Sequence, residues 1–114
     1  YLTLAAKLVS PGSEYADAWN FGPRAADSKQ VRWVVDRLCH KFPAAHWKVD
    51  KSPHPHEAEL LNIDSSKARR KLGWVPRWSI ETALDMTVEW HRGWRERLSM
   101  DELSIQQIEA YVAA

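Results

Sequence analysis

Asp64-Ser65-Ser66-Lys67-Ala68-Arg69-Arg70-Lys71-Leu72-Gly73-Trp74-Val75-Pro76 is the stretch that decides the fold. Asp64 or Ser65 offers a side-chain oxygen to the free N–H groups at a helix start. Ala68 and Leu72 stand four apart and share one face. Gly73 takes the left-handed conformation that stops a helix without a Cβ penalty. Pro76 has no N–H with which to continue one. The stretch therefore reads as a short capped helix with a sharp stop and an extended exit.

Downstream the periodicity stays helical. Ser79 caps the longest helix, and Glu81 in its first turn faces the positive end of the dipole. Ile80, Ala83, Leu84, Thr87, His91, Trp94 and Leu98 form its expected inward stripe. Ser99-Met100-Asp101-Glu102 has the spacing of a capping box. The last helix behind it is expected to dock through Leu103, Ile108, Tyr111 and Val112.

Upstream the pattern is mixed. Leu2, Ala5, Ala6 and Val9 recur at helical spacing until the breaker cluster Ser10-Pro11-Gly12-Ser13. Residues 18–21 predict a short buried strand stopped by Gly22-Pro23. Asp27 or Ser28 is expected to cap a helix carrying Val31, Val34, Val35 and Leu38, which Phe42-Pro43 ends. The alternation in residues 46–50 predicts a second strand, and residues 59–63 predict a third. Two or three short strands make no sheet of their own, so they are expected to extend one supplied by other sequence.

Composition narrows the class. With 114 residues and 45% apolar composition, the chain fits one small domain. A net charge of +1 argues against a binder of polyanions, and hence against nucleic acid. No apolar run approaches the roughly 18 residues of a membrane span, and no secretory signal order opens the chain. The single cysteine, Cys39, excludes an intrachain disulfide and points to a reducing compartment. Seven Trp outnumber the three Tyr and two Phe together, which predicts a rich core or a broad face meant to be covered. The helical spacing already present at Tyr1 carries the expectation of a fragment or processed product.

One segment concentrates polar chemistry. In Lys51-Ser52-Pro53-His54-Pro55-His56-Glu57, prolines brace both sides of His54 and lower the entropy cost of holding a ligand-ready shape. Glu57 accepts from hydroxyls; His54 or His56 donates to an anion. Metal spacing is poor there, because alternate residues of an extended loop point to opposite sides. The basic run Lys67, Arg69, Arg70 and Lys71 reads as a solvated helix face. His91 reads as a core or interface histidine, and Trp90 and Trp94, four apart, as a stack on one side of the long helix. The sequence has no Gly-x-Gly-x-x-Gly, no phosphate loop, no Gly-x-Ser-x-Gly elbow and no Tyr followed four residues later by Lys.

Four pieces in order resemble a known family. They are Ala18-Trp19-Asn20-Phe21-Gly22-Pro23, Pro53-His54-Pro55-His56-Glu57-Ala58, Leu61-x-Ile63-Asp64-x-Ser66-Lys67-Ala68-x-x-x-Leu72-Gly73-Trp74-x-Pro76, and Thr87-Val88-Glu89-Trp90. Together they resemble the C-terminal third of the extended short-chain dehydrogenase/reductases that act on nucleotide sugars, and in particular the CDP-glucose 4,6-dehydratase branch. The resemblance runs to about Trp94, and the tail after Leu98 has no counterpart in it.

That resemblance implies an α/β fold class: the substrate-binding lobe of a Rossmann-type nucleotide-sugar enzyme, mostly helical with two or three short strands. Residues 1–98 would be the lobe and residues 99–114 a terminal helix. It implies a parent lyase in which NAD, bound by a domain outside this chain, oxidises C4 of the sugar. Water is then lost across C5–C6, and the hydride returns to C6. The product is a 4-keto-6-deoxy sugar nucleotide that feeds surface polysaccharide. The lobe itself would carry no catalytic residue, no metal and no cofactor, and would be inactive alone. Its partner is a CDP-sugar, in a cytoplasmic enzyme that forms homo-oligomers. By register with Asp64, Glu57 falls where relatives bind the nucleotide ribose and His54 where their Arg pairs with the diphosphate. His56 is the alternative donor, and Asn20 falls near the sugar and nicotinamide pocket. Two other readings stay open: a lobe of another nucleotide-sugar epimerase or dehydratase, and a non-catalytic Trp-rich interaction module.

Overall fold

The computed structural model describes residues 1–9, 13–52 and 63–114. Five α-helices follow in order: α1 Leu2–Val9, α2 Val31–Lys41, α3 Ser66–Leu72, α4 Ile80–Arg95 and α5 Met100–Ala113. Single 3-10 turns lie at Ser13–Tyr15 and Ala25–Asp27.

The expected strands are corrected by this structure. Among the described residues there is no strand and no sheet, so the fold is helical and not α/β. Residues 18–21 and 46–50 are irregular; of residues 59–63 only Ile63 is described, and it is irregular too. The reason is pairing. Alternation records which side chain turns inward, and Trp47 is indeed half-buried between exposed His46 and Lys48. A strand, however, exists only when its N–H and C=O groups meet those of a neighbour. No described segment offers such an edge to either stretch.

Helix ends follow the local chemistry closely, with one exchange and one expected bond missing: Ser99 precedes α5 without the side-chain hydrogen bond of a capping box. The Asp64 carboxylate accepts from Ser66 N–H at 2.8 Å, opening α3. Gly73 stands at φ 64°, where a side chain would be strained, and closes it. Ser79 Oγ accepts from Thr82 N–H at 3.3 Å as the cap of α4. The exchange concerns Asp27. Neither it nor Ser28 caps α2, which starts after Gln30 without a side-chain cap. Asp27 is instead buried, and its Oδ1 accepts from Ile80 N–H at 3.1 Å, at the start of α4.

Packing centres on α4. Its α5 partner lays Leu103 against Gly93, where an added Cβ would stand 2.6 Å from Leu103 Cδ2. Trp90 Nε1 donates to Ser104 Oγ at 3.1 Å and Gln107 Nε2 to the Met86 carbonyl at 2.9 Å. Tyr111 meets Trp78 edge-on at 5.0 Å. The docking face of α5 is therefore Met100, Leu103, Ser104, Gln107 and Tyr111. Of the expected set, Leu103 and Tyr111 dock, while Ile108 and Val112 stay exposed. On the other side of α4, Asp85 holds Arg37 and Lys41 of α2, each at 3.0 Å.

The inward stripe expected for α4 is also shifted. Val88 and Gly93 are the buried positions, whereas Thr87, His91, Trp94 and Leu98 are exposed. Trp90 and Trp94 do not serve as one stack: Trp90 reaches α5, and Trp94 pairs with His91 at 5.7 Å.

The molecule is flat and thinly cored. It measures 53 × 42 × 21 Å with a radius of gyration of 17.9 Å, against about 13 Å for a compact chain of this length. Among the described residues Ala68 and Val88 are the buried hydrophobics. The surface of 9401 Å² exceeds the roughly 6,400 Å² expected of a compact chain of this mass. Tryptophans serve as joints in place of a deep core. Trp74 takes Phe21 edge-on at 5.1 Å, Trp47 Nε1 donates to Asp36 at 2.8 Å, and Trp33 lies under Lys29 at 5.6 Å.

Candidate functional site

The segment Trp19-Asn20-Phe21-Gly22-Pro23 is strapped across α3 and its exit. Trp19 Nε1 donates to the Tyr15 carbonyl at 2.9 Å, and its ring stacks on Tyr15 at 6.1 Å. Phe21 packs between Tyr1, at 5.3 Å, and Trp74. Arg24 Nη2 donates to the Pro76 carbonyl at 2.7 Å. Asn20 is exposed between these two fixed rings.

Lys67 closes the strap from the other side. Its ammonium pairs with the Asp17 carboxylate, donates to the Ala18 carbonyl at 2.8 Å and sits 4.6 Å from the Trp19 ring centre. The Lys67 hydrogen bond holds the Asp17 carboxyl below its ordinary value, with the Ala18 N–H adding to it. The Ser66 backbone N–H, with the Ser66 side chain behind it, lowers Asp64 in the same way. The sequence reading had placed Lys67 on a solvated basic face; Arg69, Arg70 and Lys71 are exposed as expected, but Lys67 is half-buried and committed. Its signal was its place beside Ala68, the residue of α3 that is fully buried.

His54, His56 and Glu57 lie outside the described residues. What the structure does place is Ile63, six residues after Glu57. Gly22 is buried against Ile63: a Cβ there would stand 3.0 Å from the Ile63 carbonyl oxygen and 3.1 Å from its Cβ. Ile63 thus abuts a position two residues from Asn20. Two of the pieces read from the sequence meet here, residues 18–23 and the stretch from Ile63 to Pro76: Gly22 lies on Ile63, Lys67 holds Ala18 and Trp19, and Trp74 takes Phe21. Chemically, the described part offers an exposed amide, able to donate and accept, on a backbone fixed by rings and one ammonium. Among the described residues no three His, Cys, Asp or Glu side chains gather as a metal set. No described helix is long and apolar enough to cross a membrane.

No protein-family model matches the chain. A CDP-glucose 4,6-dehydratase of Salmonella typhimurium is 38% identical over 115 residues, an alignment that takes in all of this chain and 32% of that protein. The chain thus spans about a third of the length of the curated relative it matches. The likeness extends past Trp94, where the motif series ended, through the tail. Over its whole length the chain is similar to the C-terminal part of that CDP-glucose 4,6-dehydratase.

Proposed function

We propose that this chain is the nucleotide-sugar-binding lobe of a CDP-glucose 4,6-dehydratase, with Asn20 and the loop of His54, His56 and Glu57 meeting a CDP-sugar. The observation that supports the reading is the Gly22–Ile63 junction, which sets a residue six positions after Glu57 beside the Asn20 segment. Full-length likeness to the dehydratase supports it.

In this reading Glu57 accepts from the ribose hydroxyls, and His54 or His56 donates to the diphosphate. A histidine is charged only part of the time near neutral pH, so it holds an anion less firmly than an arginine fork. Asn20 orients the sugar by hydrogen bonding, which needs the fixed backbone that Lys67 and the flanking rings supply. In this reading the parent enzyme is a lyase, and NAD would supply its redox chemistry from a site outside these residues. The glycines of this chain stand singly at 12, 22, 73 and 93 and form no dinucleotide turn. The residues here do not fit that cofactor, and its site is proposed to lie on other polypeptide, in a cytoplasmic homo-oligomer.

The test is a titration of CDP into the chain, followed by amide NMR, with Glu57→Ala as control. Binding on the order of 1 mM is expected for part of a pocket, with shifts at Asn20 and residues 54–58 that Glu57→Ala removes. Shifts confined to α4 and α5 overturn the assignment.

A further inference from the structure

The ion pair that ties α3 to the Asn20 segment is open to water. The Lys67 side chain is 31% exposed and that of Asp17 61%. A pair so placed adds little stability, because water competes for both charges. Nor does the segment need the carboxylate to stay in place. Lys67 also donates to the Ala18 carbonyl and lies over the Trp19 ring, and Trp19 Nε1 is tied to the Tyr15 carbonyl.

Asp17 fills a seat for an anion. One of its carboxylate oxygens accepts from Lys67 Nζ and the other from the Ala18 N–H at 2.7 Å. Lys71, one turn along α3, shares the Lys67 side of the helix, and its charge pulls on the same carboxylate. Ammonium and backbone N–H groups converging on two oxygens suit a phosphate group as well as a carboxylate. The Lys67 head is already fixed by the Ala18 carbonyl and the Trp19 ring, so a ligand meets it oriented. The seat lies three residues before Asn20.

We propose that Asp17 is a placeholder: a phosphate group of the sugar nucleotide takes the seat on Lys67 and the Ala18 N–H, and the Asp17 carboxylate turns out into water. The identity of the anion rests on the CDP-sugar reading above; the seat rests on the geometry of Asp17, Ala18 and Lys67. Lys67 stays paired in both states, so the exchange leaves no ammonium bare. It also gives a diphosphate the fixed cation that a histidine, charged only part of the time near neutral pH, does not.

Inorganic pyrophosphate, CDP and cytidine are titrated separately into the full chain, and the Ala18 amide signal is followed by NMR. Pyrophosphate and CDP are expected to shift it, and cytidine to leave it. Asp17→Asn removes the competing charge and keeps an oxygen for the Ala18 N–H. It is expected to tighten both anions about threefold, the scale of an exposed ion pair, and to leave cytidine unchanged. Asp17→Ala, also at an exposed position, is expected to act in the same direction. Lys67→Gln is expected to abolish the pyrophosphate shift. The sign separates the two roles of Asp17: a carboxylate that only braces the segment gives weaker or equal anion binding when it is removed, and that result overturns the proposal. So does a pyrophosphate shift at Ala18 that survives Lys67→Gln. CDP that moves Asn20 and residues 54–58 but not Ala18 overturns the placeholder and leaves the CDP-sugar reading standing. Pyrophosphate that moves Ala18 while CDP moves nothing sustains the seat and fails that reading.

Discussion

Lys67 in α3 and Asp17 before the Trp-Asn-Phe segment form an ion pair across fifty residues of sequence. The same ammonium holds the Ala18 carbonyl and the Trp19 ring, so one side chain fixes the three residues that precede Asn20. Lys67→Met removes all three contacts. The indole signal of Trp19 and the amide signal of Asn20 are expected to shift in NMR spectra, and CDP binding to weaken severalfold. Lys67→Arg keeps the charge and is expected to restore part of both. Unmoved Trp19 and Asn20 signals in the Met variant would show that Lys67 does not hold the segment.

Gly22→Ala forces a Cβ to 3.0 Å from a backbone oxygen of Ile63, an atom that cannot swing aside as a side-chain tip does. A loss of roughly 1–3 kcal/mol is expected in urea unfolding, together with displaced amide signals at Ile63 and Asp64. A variant as stable as wild type would mean that the two segments do not touch.

Asp27→Ala leaves the first N–H of α4 without its acceptor, at a cost of about 1 kcal/mol. Asp27→Asn keeps a side-chain oxygen and is expected to lose less. Hydrogen exchange at Ile80 locates the effect: it is expected to quicken in Asp27→Ala, while exchange in the middle of α2 does not change selectively.

Acid is expected to destabilise the fold. Asp17, Asp64 and Asp85 are held below their ordinary 3.8 and Glu81 below its 4.5, by Lys67, by Ser66, by Lys41, and by the N–H of Glu81 itself with Ser79. The unfolded chain therefore binds protons before the folded one does. This stabilisation is complete above about pH 5 and is lost as pH falls through the folded values. Urea midpoints at pH 7, 5 and 3.5 check it: little change is expected over the first interval and a fall over the second. Asp85→Asn is expected to flatten that fall.

Arg97 occupies the left-handed region at φ 59°, in the turn where Leu98 N–H donates to the Gly93 carbonyl at 3.0 Å. Arg97→Gly relieves the strain and is expected to raise stability by about 1 kcal/mol, seen as a higher melting temperature with unchanged α4–α5 contacts.

Much of the helical framework was legible because its signals are local. Ser79 as a cap, Gly73 as a stop and Asp64 at the start of α3 depend on residues within four positions of one another, and each stands in the structure as read. The faces of the helices were less legible. His91 and Ile108 fit an apolar period, yet period alone does not say which of two apolar faces meets a neighbour. Of the candidate site, Asn20 could be chosen from the sequence, whereas Lys67 was hidden in a basic run. Its partner Asp17 lies fifty positions away, beyond any local pattern.

The sequence by itself determined where α3 begins and ends and where α4 begins, because capping oxygens and glycine act on backbone groups one turn away. It also pointed, through four spaced motifs, to the likeness with CDP-glucose 4,6-dehydratase that the comparison found. Only the tertiary structure decided that residues 46–50 form no strand, that Asp27 serves α4 and not α2, and that Gly22 meets Ile63. Each of these turns on whether a distant partner arrives: a strand needs a second edge, a carboxylate goes to whichever free N–H packs against it, and a missing Cβ matters only where another backbone comes within 3 Å.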